Sequence, residues 1–155
     1  MDTRTALRVA GALVQPFARS TNVIEPDRLD ASIASGNLLD AVGALCSARW
    51  GYLAAITGLD QPADARVEVL YHFCEGGAVA TLRVSVPYDS SEIPSITGLV
   101  PYAQLYEVEV SEMFGVTVQG VPPQHLLLPE DWPAGVYPLR KSFTGGRPEP
   151  PPAGS

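Results

Sequence analysis

Residues 67–87 read VEVLYHFCEGGAVATLRVSVP, and this stretch decides the class of fold. Val67, Val69, Tyr71 and Phe73 alternate with Glu68, Leu70, His72 and Cys74. That two-residue period is the signature of a strand with one buried face. After Glu75-Gly76-Gly77 the pattern resumes through Val79, Thr81 and the run Leu82 to Val86. Two such runs about a glycine-containing turn make a β-hairpin. Pro87 ends the second strand, because proline cannot donate to a ladder. His72 lies inside the first strand. A lone histidine there is a satisfied structural residue sooner than a base or ligand, since catalytic use needs positioned partners.

Working outward, Trp50 to Asp60 (WGYLAAITGLD) is rich in bulky and branched residues and reads as a further strand. Before it, Leu38, Leu39, Val42, Leu45 and Cys46 recur at helical spacing, which predicts an amphipathic helix ending at Ser47. Asp27 or Asp30 could cap a helix. Residues 1–22 carry scattered apolar side chains around Pro16 and are expected to hold at most a short strand. On the far side of the hairpin, residues 88–94 (YDSSEIP) are turn chemistry.

A second helix is predicted from Pro101, with Tyr102, Leu105, Tyr106, Val110, Met113 and Phe114 on one apolar face. Gly115 suits the position just past its end. Glu107, Glu109 and Glu112 fall off that face. They read as a solvated acidic side, or as partners for Arg140 and Lys141. A general acid–base pair ranks last, because no third catalytic group accompanies them. Pro122-Pro123 forces an extended path. Leu126, Leu127 and Leu128 are expected to anchor the following segment to the core. Trp132 is a packing anchor or an interface residue. Residues 144–155 form a Pro/Gly-rich tail.

Composition narrows the function classes. The 155 residues suffice for one domain with a real core. A net charge of −7 argues against nucleic acid or anionic membrane as direct ligand. No apolar run reaches the roughly 18 residues that span a bilayer. No signal peptide is expected, which makes the default location cytoplasmic. Two cysteines, Cys46 and Cys74, cannot alone complete an iron–sulfur or all-cysteine zinc site. With His72 and His125 added, no metal-ligand spacing emerges. No catalytic, cofactor-binding or metal-binding residue is therefore assigned.

Several motifs in order carry a resemblance: YLAAITGLD, VEVLYHF, LRVSVP, EIPSITGLVP, then EVEVSEMFGV and LLLPEDWPAGVYPLRKSF. From about Leu53 to Phe143 the chain resembles the C (30 kDa) subunit of complex I, the NADH:quinone oxidoreductase. It is similar also to the equivalent subunit of group 4 membrane-bound NiFe hydrogenases. Val108 stands where that family has arginine, the Gly120–His125 stretch lacks the family's arginine pair, and Ser142 replaces an aspartate. The spacing DWPAGVYPLRK is more similar to the hydrogenase-linked branch.

The resemblance implies an α+β domain over residues 23–143: a mixed or antiparallel sheet with helices packed on it and an extended C-terminal segment. Residues 1–22 would be a variable N-terminal segment and 144–155 a tail. It implies a non-catalytic assembly subunit of the peripheral arm of a complex I-like NADH (or ferredoxin):quinone oxidoreductase. Such a subunit docks on the large D-type subunit near the small Fe–S subunit, peripheral to the cytoplasmic membrane. Clusters, and in hydrogenases the NiFe centre, would sit in those partners, with no cofactor here. Glu107, Glu109, Glu112, Trp132, Arg140 and Lys141 are the interface candidates. An unrelated protein-binding module is the remaining alternative.

Overall fold

The computed structural model describes residues 1–122 and 124–146. Pro123 and most of the expected tail, residues 147–155, lie outside the described residues. The predicted hairpin is present: β4 (Arg66–Glu75) and β5 (Ala78–Pro87) pair antiparallel, Tyr71 opposite Leu82. β3 (Tyr52–Gln61) pairs antiparallel on the other side of β4, with a register shift at Leu53/Ala55. β1 (Ala18–Ile24) and β2 (Arg28–Ile33) form an antiparallel pair, and β2 joins β5 in parallel. The sheet order is β1-β2-β5-β4-β3. With α1 (Thr3–Val14), α2 (Leu38–Ser47) and α3 (Gln104–Phe114) this is the mixed-sheet α+β architecture expected. A small parallel pair, β6 (Glu92–Pro94) with β7 (Thr117–Gln119), lies beside it, and β6 falls where only a turn was expected.

Register explains which face is buried. Val67, Val69, Tyr71 and Phe73 of β4 line up with Val86, Val84, Leu82 and Ala80 of β5. Leu29 and Ala31 of β2 continue that row beyond β5. In β5 the buried set is Ala78, Ala80, Leu82, Val84 and Val86, so Val79 and Thr81 belong to the opposite face. The opposite face carries the paired polar groups. Arg83 bridges Asp30 (2.8 Å) and Glu68 across three strands. His72 lies between Thr57 Oγ1 (3.0 Å) and Thr81 Oγ1 (2.9 Å). Burial, reinforced by Arg28, holds its pKa below the ordinary histidine value. It is the satisfied structural histidine anticipated.

The N-terminal stretch holds the short strand expected in it, as the first residues of β1, but residues 3–14 also form a helix that was not expected. Asp2 caps it by accepting from Thr5 N at 3.0 Å. Ala6, Leu7, Ala10 and Val14 then fall on one buried stripe. Trp50 Nε1 donates to Ala6 O at 2.9 Å, pinning the helix to the start of β3. β1 runs through residue 22 and pairs with β2.

Candidate functional site

The last turn of α3 organises the rest of the chain. Its burial corrects the predicted apolar face. Leu105 and Tyr102 are exposed, while Glu107 (1% exposed) and Glu112 (8%) are buried beside Val108, Val110 and Phe114. Periodicity counts glutamate as polar and therefore outward. Here each carboxylate is satisfied by donors from an adjoining loop, which removes most of the penalty of burial. Glu107 accepts from Ile96 N (2.7 Å) and Ser95 Oγ (2.8 Å). Glu112 accepts from Leu126 N (2.7 Å) and Leu127 N (2.9 Å), one on each oxygen. Glu109 is exposed. The three glutamates thus serve different neighbours and form no shared acid–base centre.

Residues 112–115 each hold one part of the C-terminal segment. Glu112 fixes the Leu126-Leu127 backbone, and His125 Nδ1 stands 3.7 Å from its Oε1. Met113 O receives Leu139 N at 3.1 Å. Phe114 O receives Arg140 Nε at 2.7 Å. Gly115, at φ +76°, carries the Tyr137 ring against its bare Cα. Helix carbonyls that would otherwise face water are capped by this segment, and a guanidinium at a helix C-terminus also meets the negative end of the dipole. Arg140 lies over both the Tyr88 ring (4.4 Å) and the Tyr137 ring (4.7 Å). Neither Arg140 nor Lys141 pairs with the glutamates among the described residues. Arg140 does join this helix, but through the Phe114 carbonyl rather than the acids, whereas Lys141 is held by β3.

A buried aspartate that the sequence pattern does not single out completes the anchor. Asp60, 2% exposed at the end of β3, accepts from Lys141 N (2.8 Å) and from the Tyr88 hydroxyl. That bond to Asp60 is the first cause of a raised Tyr88 pKa. An acid at an in-phase strand position, flanked by Leu59, was the available signal. Trp132 donates Nε1 to Val136 O (2.8 Å) and its ring meets Phe143 at 6.2 Å, so it packs locally within the segment. An open cleft of about 280 Å³ separates segment and helix end, lined by Glu112, Gly115, His125, Trp132 and Tyr137. Leu126 and Leu127 are not the core anchors expected. They are 52% and 57% exposed, and Leu139 is 53% exposed.

Burial raises the Glu107 pKa above the ordinary glutamate value. The folded state therefore binds a proton more tightly than the unfolded state does. That contribution to stability is fully present below about pH 4.3, the unfolded glutamate value, and is lost as pH rises through the raised one. Glu107→Gln keeps an acceptor for Ile96 N and does not titrate. Urea denaturation from pH 4 to 8 is expected to show the variant gaining on the wild type as pH rises. A gap independent of pH would refute the assignment.

Among the described residues, no three His, Cys, Asp or Glu side chains gather as a metal site. No helix among them is long and apolar enough to cross a membrane.

Comparison with known proteins agrees with this architecture. The profile of the family described as respiratory-chain NADH dehydrogenase, 30 kDa subunit, matches residues 31–149. The C-type subunit of the NADH-quinone oxidoreductase of Moorella thermoacetica is 37% identical over 97 residues, covering 61% of this chain and 64% of that protein. This chain thus spans a little under two thirds of that relative's length. Formate hydrogenlyase subunit 5 of Escherichia coli K12 is 34% identical over 131 residues, which are 81% of this chain but 23% of that protein. A chain from the membrane-bound sulfane sulfur reductase, an archaeal respiratory membrane complex, superposes with a TM-score of 0.76 at 25% identity, covering 90% of this chain and 85% of that one. On sequence and fold together, the chain belongs to the respiratory-chain NADH dehydrogenase 30 kDa subunit family.

Proposed function

We propose that this chain is a non-catalytic docking subunit in the peripheral arm of a complex I-like NADH- or ferredoxin-dependent quinone oxidoreductase. It grips the large D-type subunit, beside the small Fe–S subunit, on the cytoplasmic side of the membrane. The clusters that carry electrons belong to those partners. The observation behind this reading is the segment 124–146, which has neither helix nor strand yet is pinned at five points to α3 and β3. Loops of such length without regular structure are uncommon and usually functional. This one spends its polar groups on the domain and presents leucines to solvent.

Capture of the full-length chain from detergent-solubilised native membranes is expected to recover a D-type large subunit in equimolar amount. A chain that migrates alone under those conditions overturns the proposal. A second reading, the equivalent subunit of a group 4 NiFe hydrogenase, is favoured by the DWPAGVYPLRK spacing and by the similarity to formate hydrogenlyase subunit 5. Nickel in the recovered large subunit selects hydrogenase, and its absence selects quinone reductase.

A further inference from the structure

We propose that Leu126, Leu127 and Leu139 are the contact that seats the large partner subunit, and that Glu112 is the positioning residue that sets it. This rests on the docking function above and goes beyond it in naming the surface. Three large apolar side chains stand more than half exposed. Their backbones nevertheless hang from two consecutive residues of one helix turn, Glu112 and Met113. Hydrogen bonds to a buried carboxylate are of the strong, charge-assisted kind. The loop is therefore ordered before any partner arrives, and little entropy is left to lose on binding. Exposed Glu130 and Lys141 follow the leucines in the chain and provide a polar rim.

The occupant is argued from lengths and charge. In formate hydrogenlyase subunit 5 the matching 131 residues are 23% of the protein, which puts that chain near 570 residues (131/0.23). There, a domain like this one is joined covalently to more than three quarters of a longer polypeptide. The matching residues are 81% of this chain, and a long polypeptide like the one beside them in that relative is the occupant proposed for the leucines. A second copy is the poorer occupant, because two chains each of net charge −7 repel. The partner surface that fits is an apolar depression with a polar rim.

The test uses the full chain co-expressed with its large subunit, with capture through a tag on the latter. Leu126→Ser/Leu127→Ser is expected to lower co-purification at least tenfold, the loss typical of a binding hot spot. Its Tm should stay unchanged, since both side chains already face water. Leu105→Ser, at an exposed leucine on the first turn of α3, should leave capture intact. Glu112→Ala should also weaken capture, but should cost nothing further once both leucines are serine. That non-additivity distinguishes positioning from general destabilisation. Wild-type capture with undiminished capture of the double variant overturns the inference and leaves the docking function standing. Failure of the wild type to capture removes the docking function itself. Self-association through the same leucines, seen by light scattering, overturns the choice of occupant.

Discussion

Gly58→Val is expected to lower the unfolding free energy by about 2 kcal/mol and Tm by about 4–8 °C, read by thermal melting in far-UV circular dichroism. Gly58 sits in β3 opposite Val69, on the face that α3 covers. A Cβ there would lie 2.5 Å from two ring carbons of Phe114 and 2.9 Å from a third. No carbon pair tolerates that approach. Phe114 is buried and its own carbonyl is held by Arg140, so the ring cannot lift unless the end of α3 parts from the sheet. Overpacking of this kind costs about 3 kcal/mol at its upper range. Valine's better strand propensity and the smaller entropy of its unfolded chain return about 1 kcal/mol. The sterics win. A variant melting at or above the wild type would show that Phe114 is not wedged against bare backbone.

What was legible in the sequence follows from which forces leave a local pattern. The β4–β5 hairpin was legible because a half-buried strand must alternate, and Val67 to Phe73 do. α2 was legible from its apolar spacing, and the end of α3 from Gly115, which occupies the left-handed conformation foreseen. α1 was missed because its buried stripe uses alanines, which carry little hydrophobic signal, and because Pro16 suggested a break that in fact comes after the helix. The site was half legible. LLLPEDW and PLRKSF stand out along the chain, yet the pattern turns the leucines inward and the glutamates outward. Both errors have one cause. Whether a glutamate is buried depends on peptide N–H groups 14 or 15 residues away reaching its oxygens, and no window along the chain contains that information. Asp60 is the extreme case, since its partner Lys141 N is 81 residues distant.

Gly115→Val should release the C-terminal segment while leaving the sheet intact. Two costs arise at one atom. A β-branched residue at φ +76° is strained by about 1–2 kcal/mol. Its Cβ would also stand 2.4 Å from Cε2 and 2.6 Å from Cζ of Tyr137. The ring must leave, and Arg140, stacked on it, loses one of its two aromatic platforms. With Tyr137 displaced, the Leu139 and Arg140 bonds to the helix end weaken together. Limited trypsin digestion reads this directly, because Arg140 and Lys141 are adjacent cleavage sites. Where cutting follows a fast local opening, its rate tracks the open population. A loss of about 2 kcal/mol should then speed cleavage about 30-fold, with a proportionally smaller fall in Tm. Gly115→Asn separates the causes. Asparagine tolerates the left-handed conformation but still carries a Cβ. If the Tyr137 contact governs, asparagine releases the segment nearly as well as valine. If asparagine protects Arg140 and Lys141 as glycine does, then backbone strain alone disturbs this position, and the packing of Tyr137 on Gly115 does not hold the segment in place.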